Sequence, residues 1–556
     1  MKLGYAYVWI AIVAGFFVLV LNLHAQSPAN PARTGLVQDW TQHHIVFSRD
    51  GLLKHPSLIY REPRIAHQAM QRWSGARPQL SGETSRDAAS AEPQRDWNVS
   101  LGLGRIAPNM FPAKYSFDPG APPDCTNDYV AFGLNRVGAA NQANLVALNN
   151  LYTGTLPPGL CIGTGPNFLF AYNISTVSAG RILTSPALAL DGKKIAFVES
   201  GNISGVSTSI FHVLTWATGA GNGTSATAPA VPGVGNTATM TSLTFAAALD
   251  TRSSPFVDYN TDIAYVGADD GKIYKITGVF KGTPTLAGSP WPVTISPNVR
   301  ASTPVFDKNL GLVLVGSQNG TYFSINALGV VKSLVVGRSG GTNPGILAAP
   351  VVDVTNGTSF VISANDGTTG VMVEVDSATM TQLAKARIGQ ASHSGTAISL
   401  FQPAFSDSYF NNPTTGTVRL CGTGAADNTP WQYAFGGFTL VAGKYIMNTT
   451  PTFSAQLLTS TTARCTGWTE FLNPNVGAGG TDFFFFGLTA DCSGAGTPGC
   501  VVVRNGDGSL LRANVTGGPS GIVTDNYRTE AQASSIYLTG TAAPNLAYKF
   551  TQNGLQ

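Results

Sequence analysis

The sequence contains few charged residues. Lys and Arg number 33 and Asp and Glu number 30 in 556 residues, which is 11%, against about 25% in an average soluble domain. This shortage excludes a coiled coil, which is rich in Glu, Lys, Ala and Leu. The net charge of +3 produces no extended positive field, so we predict no nucleic-acid partner. The aromatic fraction of 10% excludes a disordered chain.

Histidines and catalytic motifs are also scarce. The sequence has no His-Glu-x-x-His and no phosphate-binding loop. A nucleophile–histidine pair would have to use His212 or His393, which we interpret as a structural residue on a strand and a surface residue in a polar loop. The tandem histidines at 43–44 have no ligand spacing to His55 or His67. We therefore predict a solvated surface there and no metal site.

Long apolar runs are missing except at the N-terminus. Tyr5–Leu23 is mainly apolar, Lys2 precedes it, and Leu23-His24-Ala25 is a small-residue exit. These features predict a secretion signal over residues 1–25. Because the run is longer than a usual signal core, an uncleaved membrane anchor is the alternative. Contact with a membrane is predicted only through this segment.

The six cysteines fit an oxidising compartment, so we predict a secreted, periplasmic or cell-surface protein. An even number allows complete pairing in 15 ways. No pair has Cys-x-x-Cys spacing, which argues against zinc. Proximity along the chain favours the pairs Cys125–Cys161, Cys421–Cys465 and Cys492–Cys500.

The charges are concentrated near the N-terminus. Residues 33–96 hold 9 basic and 7 acidic residues among 64, a density that the rest of the chain does not reach. We expect short helices around Ile59–Trp73 and a polar linker over Ser74–Arg95. The predicted organisation is a signal at 1–25, a charged extension and linker at 26–95, and one domain at 96–556.

That domain contains an internal repeat. Pro255, Pro304 and Pro350 each open a Pro-x-x-Asp segment, 49 and 46 residues apart. A β-rich run follows each one, and Asp270-Gly271 and Asn319-Gly320 supply the positive φ of tight hairpin turns. Further apolar runs complete four strands in a period of about 50 residues. This pattern is typical of a β-propeller blade.

Weaker copies of the unit extend through the rest of the domain. They bring the count to eight, with seven as the alternative. The last unit lacks a fourth strand, whereas Asp96–Leu101 precedes the first unit and resembles the fourth-strand segment Trp291–Ile295. We therefore predict an all-β fold, a single propeller of four-stranded antiparallel blades, whose ring is closed by this N-terminal strand.

Two segments carry a resemblance to a known family. Tyr265–Tyr274 and Leu314–Tyr322, each after a Pro-x-x-Asp, resemble the repeats of quinoprotein-type (PQQ-like) β-propellers. The whole chain, with His43–Phe47 and Met110–Tyr115, also resembles a group of secreted bacterial propeller proteins with no assigned activity. Members of the repeat family include quinone-dependent dehydrogenases and non-catalytic scaffolds. The adjacent cysteines, calcium ligands and haem motif of the former have no match here, so no cofactor is predicted.

Four arginines share a position in the repeat. Each lies three to five residues before the start of an inner strand: Arg181, Arg252, Arg300 and Arg464. If the register holds, they surround one mouth of the axial channel, where guanidinium groups bind carboxylates or phosphates. The alternative is that each pairs with a blade aspartate, such as Asp258 or Asp307, and has a structural role.

These observations favour a secreted, non-enzymatic propeller that acts as a binding or scaffold module. Its partner is an unidentified protein, a glycan or a small anionic ligand. The alternative is a propeller enzyme, either a quinone-dependent oxidoreductase or a lyase or hydrolase, with its site at the channel mouth. The fold alone does not distinguish the two.

Overall fold

Eight sheets, each built on four antiparallel strand positions, form the body of the described part of the protein; five have four strands and three have a fifth. The computed structural model describes residues 44–74, 93–116, 123–154, 159–338, 345–389, 399–423, 429–473, 480–505, 508–525 and 534–551. Within these ranges each sheet contains strands that are mostly consecutive in sequence, as in a propeller blade. The eight-bladed, all-β fold predicted from the repeat is confirmed.

The strands follow the repeat closely. In the first four blades and the segments before them they are β1 (Ile45–Val46), β2 (Gln94–Ser100), β3 (Ala113–Tyr115), β4 (Tyr129–Gly133), β5 (Leu145–Asn149), β6 (Asn167–Tyr172), β7 (Ser178–Ile182), β8 (Ala187–Leu188), β9 (Lys194–Ile203), β10 (Val206–Thr215), β11 (Thr239–Ala246), β12 (Phe256–Asp258), β13 (Ile263–Gly267), β14 (Lys272–Thr277), β15 (Thr285–Leu286), β16 (Val293–Thr294), β17 (Val305–Asp307), β18 (Leu312–Gly316), β19 (Thr321–Ile325) and β20 (Val331–Val335).

In the last four blades the strands are β21 (Val351–Asp353), β22 (Thr358–Ser363), β23 (Val371–Asp376), β24 (Thr381–Arg387), β25 (Ala404–Phe405), β26 (Thr417–Thr423), β27 (Pro430–Gly436), β28 (Thr439–Val441), β29 (Lys444–Ile446), β30 (Phe453–Gln456), β31 (Thr469–Asn473), β32 (Thr481–Ala490), β33 (Pro498–Arg504), β34 (Leu510–Val515), β35 (Val523–Thr524), β36 (Ser535–Thr539) and β37 (Leu546–Thr551). The β28–β29 hairpin is a two-stranded addition to blade 6.

The aspartate of each Pro-x-x-Asp segment ends an inner strand and caps the turn that follows. The Oδ1 atom of Asp307 accepts the backbone N–H groups of Asn309 and Leu310 at 2.9 and 3.0 Å. Asp353 caps its turn in the same way. Such turns, in which an aspartate accepts from its own backbone two residues on, explain the recurrence of this residue type.

The ring is closed by the strand predicted for this purpose. β2 pairs antiparallel with β37 and becomes the outer strand of blade 8. Its Trp97 ring lies 6.1 Å from Tyr537 in the same blade, and its Asp96 forms a buried ion pair with Lys549. The strand begins at Gln94, two residues before the predicted domain boundary.

Residues 44–74 pack on the axis of the propeller. They contain β1 and three helices, α1 (Arg49–Lys54), α2 (Leu58–Arg61) and α3 (Pro63–Ser74), so the helices expected around 59–73 are present. β1 pairs in parallel with β21, the inner strand of blade 5. Ile45, Leu58 and Ile65 are buried in a core shared with blades 3 to 6. We call residues 44–74 the plug. The linker predicted over 74–95 lies mostly outside the described residues.

The plug occupies the face of the ring that carries the turns after the inner strands, which we call the plug face. Ser48 donates its backbone N–H to Thr355 in blade 5 at 2.9 Å. Arg64 donates to the carbonyl of Val257 in blade 3 at 2.6 Å. A cavity of about 20 Å³ beside Gln68 leaves room for about one water molecule. Tertiary contacts therefore fix the plug against the blades, although its charge density alone predicts a solvated extension.

The buried histidines of the plug correct one expectation. His44 and His67 are buried, whereas His55 is exposed. Burial lowers the pKa of His67 to about 4, which favours its neutral form. The expected solvated histidine surface is thus wrong for two of the three described members. His43 lies outside the described residues.

The three disulfides join the pairs that were expected from proximity. Cys125–Cys161, Cys421–Cys465 and Cys492–Cys500 have Cα–Cα distances of 5.7, 6.2 and 5.9 Å. The second connects blade 6 with the loop that enters blade 7. Among the described residues, no helix combines the length and the apolar character needed to cross a membrane. The predicted signal segment lies outside these residues.

Candidate anion-binding site

The loop that enters blade 3 is held in place by a buried aspartate. Asp250 accepts the backbone N–H groups of Arg252 and Ser253 at 3.1 and 2.7 Å, and its own N–H donates to Ser200 at 3.0 Å. Burial raises the pKa of Asp250 well above its usual range, although the Ser253 hydrogen bond opposes this. The raised pKa favours the neutral carboxyl, so Asp250 orders the loop without adding much negative charge.

A second aspartate faces this loop from the hairpin turn of blade 3. The carboxylate of Asp269 accepts the hydroxyl of Thr251 at 2.9 Å and lies 3.4 Å from the Nε atom of Arg300 in the next loop. Burial raises the pKa of Asp269, and the Thr251 and Arg300 contacts offset the shift only in part. The Arg300 side chain is 43% exposed, so its other nitrogens are accessible to solvent.

Arg252 is the second guanidinium at this position. It is half-buried, and its Nη1 atom is shielded from solvent without a hydrogen-bond partner among the described residues. Burial lowers its pKa, repulsion from Arg300 adds to this, and Asp269 opposes it. The carboxylate of Asp269 thus pairs with Arg300, while Arg252 lies within electrostatic range of both and keeps one shielded donor unsatisfied. An unpaired buried donor costs about 1–3 kcal/mol.

The arginines lie on the face opposite the plug, which we call the entry face because the loops into the inner strands lie there. Asn109–Met110 spans the axis on this side. The Met110 sulfur accepts the hydroxyls of Ser185 and Ser254 at 3.7 Å each, and its carbonyl accepts the N–H of Gly521. These contacts connect blades 2, 3 and 8. Met110 thus lies where these blades converge on the entry face, and Ser254 joins it to the loop that carries Arg252.

Comparisons with known proteins identify the fold alone. No protein-family model matches the chain, and no curated protein matches it. Similar solved structures include BamB from Moraxella catarrhalis, with 11% identity, 83% of this chain and 98% of that chain covered and a TM-score of 0.38. A europium-containing methanol dehydrogenase shows 11% identity, 84% and 95% coverage and a TM-score of 0.45. Sqt1 from Saccharomyces cerevisiae shows 10% identity, 82% and 98% coverage and a TM-score of 0.46.

The propeller fold that the predicted likeness to quinoprotein-type repeats implies is established by the eight blades themselves. Identities this low say nothing about ligand or activity. The function has to be argued from the residues on the entry face.

The four predicted arginines have different surroundings. Arg300 pairs with Asp269, and Arg252 interacts electrostatically with both residues. Arg464 donates through Nη1 to the carbonyls of Thr461 and Ala463, both at 2.7 Å. Arg181 is exposed on β7. Within the described part of the chain, no hydrogen bond or ion pair connects these two with the central pair. A ring of four remains a prediction.

The blade aspartates that were named as alternative partners of the arginines make other contacts. Asp258 pairs with Lys308 at 2.6 Å, and Asp307 caps a turn. The residue that the sequence did not point to is Asp269, because Asp269-Asp270-Gly271 is typical of a hairpin turn. Among the described residues no group of three His, Cys, Asp or Glu side chains is arranged to hold a metal ion.

His212 is buried in blade 2, as expected for a structural strand residue. Its ring nitrogens contact Glu199 and Ser242, each at 2.9 Å. His393 lies outside the described residues.

Proposed function

We propose that the protein is a binding module that holds an anionic ligand on the entry face between Arg252 and Arg300. The observation that supports this most is the imbalance of charge: Asp269 pairs with Arg300, while the neighbouring Arg252 forms no ion pair with a described residue. A ligand with a carboxylate or phosphate group would supply the second anion and an acceptor for the buried Nη1 atom of Arg252.

The site is preorganised for such a ligand. Asp250 fixes the backbone at Arg252, and the hydroxyl of Thr303 donates to the Arg252 carbonyl at 3.3 Å. Binding therefore requires little ordering of the main chain, and preorganisation lowers its entropic cost. Planar guanidinium groups favour bidentate partners, so dicarboxylates and phosphate esters, free or on a larger partner, are the expected classes.

We further propose that the module acts outside the cytoplasm. Support comes from the three disulfides, which persist in oxidising compartments, and from the predicted secretion signal at 1–25. Detection of the mature N-terminus in the secreted or periplasmic fraction tests this part. Retention of the full chain in the cytoplasm would contradict it.

Calorimetric titration with succinate and with inorganic phosphate tests the site. We expect at least one probe to bind the wild type and to lose tenfold or more in affinity, about 1.4 kcal/mol, in Arg252→Met and Arg300→Met. Arg181→Ala and Arg464→Ala are matched controls, because sequence places them at the same repeat position but no hydrogen bond or ion pair among the described residues connects them with Arg252, Arg300 or Asp269. Equal affinity of Arg252→Met and wild type would overturn the site, and a loss in all four variants would support the ring instead.

A further inference from the structure

Three polar side chains on neighbouring strands of blade 2 form a connected array that the anion site does not use. Glu199 lies on β9, His212 on β10 and Ser242 on the outermost strand β11. In the register His212 is opposite both Phe197 and Ser242, so Glu199 is its diagonal neighbour. Directly paired and diagonal residues share one face of a sheet and are within reach of each other.

The hydrogen bonds run in one line through the imidazole. The Nε2 atom of His212 lies 2.9 Å from Oε2 of Glu199, and Nδ1 lies 2.9 Å from Oγ of Ser242. The ring of Phe197 stacks against the imidazole at 5.2 Å, which fixes the plane of the ring. His212 and Glu199 are fully buried, whereas Ser242 is exposed.

The surroundings of Glu199 determine which nitrogen carries the proton. The carboxylate also accepts the N–H and the hydroxyl of Thr176 at 2.9 and 2.6 Å. Burial raises the pKa of Glu199, but the hydrogen bonds from His212 and Thr176 outweigh this and hold it below its usual value. An ionised carboxylate can only accept, so Nε2 of His212 donates. In the neutral ring Nδ1 then accepts the proton of the Ser242 hydroxyl.

We propose that Ser242 is a nucleophilic serine that reacts with acyl esters, with His212 as its general base and Glu199 as the residue that positions the imidazole. A nucleophile within hydrogen-bond reach of a base that a third group orients is the arrangement that activates serine. Here the ring faces the serine with Nδ1, and either ring nitrogen is able to accept a proton.

The reaction balances without a further reagent. The proton of Ser242 moves to Nδ1 of His212 while Oγ attacks the ester carbonyl carbon and forms a new C–O bond. The bond from this carbon to the leaving oxygen then breaks, and the imidazolium returns the proton to that oxygen. The products are an acylated Ser242 and an alcohol, and attack by water in the same sense would release the acid and regenerate the serine.

Labelling of the intact protein with a fluorophosphonate probe, with the site mapped by peptide mass spectrometry, tests the proposal. The matched control is Ser333, an exposed serine on the outermost strand of blade 4 that is opposite Phe323 instead of a histidine. General base assistance is typically worth a factor of 10²–10⁴, so Ser242 should react about a hundredfold faster than Ser333. p-Nitrophenyl acetate should acylate the same residue.

Variants of the three residues distinguish an activated Ser242 from a serine that is only hydrogen-bonded to His212. Ser242→Ala should abolish the label, and His212→Gln and Glu199→Gln should reduce the rate to that of Ser333 while the thermal transition shows a folded protein. The proton on Nε2 should give a downfield NMR signal that Ser242→Ala keeps and Glu199→Gln shifts or loses. If His212→Gln fails to fold, Glu199→Gln carries the test. Equal labelling of Ser242 and Ser333, or unchanged labelling of Glu199→Gln, would overturn the proposal.

Discussion

Each face of the propeller shields an arginine from solvent at least in part, but only one of them matches its charge. On the plug face, Arg72 pairs with Asp407 and with Glu470, the latter at 2.8 Å, and its guanidinium lies 3.6 Å from the ring centre of Phe410. On the entry face, half-buried Arg252 forms no ion pair with a described residue and has a second arginine nearby. Both guanidinium groups keep one shielded nitrogen without a partner among the described residues, Nε in Arg72 and Nη1 in Arg252, so the two faces differ in charge balance.

The acidic residues around Arg72 on the plug face balance its positive charge. Burial raises the pKa of Asp482 well above its usual range, and its neighbour Glu470 raises it further. Burial also raises the pKa of Glu470, and the positive charge of Arg72 opposes this shift. The strongly raised pKa of Asp482 favours its neutral form, while Asp407 and Glu470 pair with Arg72. A group of charges that is satisfied within the chain has a structural role, whereas an unsatisfied one at a surface indicates a ligand.

Substitution of Arg72, whose charge is matched by acidic neighbours, should have the largest effect on the free energy of unfolding. Arg72→Met leaves the carboxylates of Asp407 and Glu470 buried without their cation, so we expect a loss of about 3–5 kcal/mol in the free energy of unfolding. Chemical denaturation measures this. A loss below about 1 kcal/mol would mean that the pair is solvated and that the contrast between the two faces is wrong.

The pH dependence of the plug face should be the next largest effect. Burial raises the pKa of Glu374, on β23 in blade 5, from 4.5 to about 8. The folded state then binds this proton more tightly than the unfolded state, so stability falls as the pH rises from about 5 to about 8, by at most about 1.4 kcal/mol per pH unit. Glu374→Gln should remove this part of the slope. A constant difference between the two proteins over that range would contradict it.

Substitution of Arg252, whose charge is not matched by an ion pair among the described residues, should change stability little. Arg252→Met removes a buried positive charge next to Arg300, so we expect a change within about 1 kcal/mol in the free energy of unfolding, of either sign. The same denaturation series measures it beside Arg72→Met. A loss as large as that of Arg72→Met would assign Arg252 a structural role and remove the basis of the anion site.

The smallest expected effect is the different response of the two faces to salt concentration. Between about 0.05 M and about 0.5 M NaCl, screening weakens contacts between exposed charges but affects buried pairs much less. The anion affinity of wild type should therefore fall, while the stability difference between wild type and Arg72→Met should stay within about 0.5 kcal/mol. Equal sensitivity of both quantities would show that the plug-face pair is open to solvent.

The blades could be predicted from sequence because their signals are local. Pro-x-x-Asp and Asp-Gly recur every 46 to 49 residues around Pro255, Pro304 and Pro350, and the turn residue Gly271 has the positive φ, +76°, that its hairpin requires. The closing strand with Trp97 was found because it resembles the fourth strand of another unit. Each of these inferences depends on residues that are close together in the chain.

The plug and the details of the site could not be predicted in this way. Arg72 meets Asp407 and Glu470 across 335 and 398 residues of chain, and no local pattern indicates such contacts. The shared repeat position of Arg252 and Arg300 is a local signal, and their role as ligand-binding residues stays a prediction. The array in blade 2 was missed because its serine lies 30 residues from His212 and is brought opposite it only by the strand register.

The most direct test of the contrast is a thermal unfolding series of wild type, Arg72→Met and Arg252→Met, each with and without the anion, succinate or phosphate, that the titration selects. A ligand that binds only the folded state at about 100 times its dissociation constant adds about 2.7 kcal/mol of stability. We predict that the anion raises the melting temperature of wild type and of the less stable Arg72→Met, but not that of Arg252→Met. An equal rise in Arg252→Met would contradict the assignment of the entry face as the binding site.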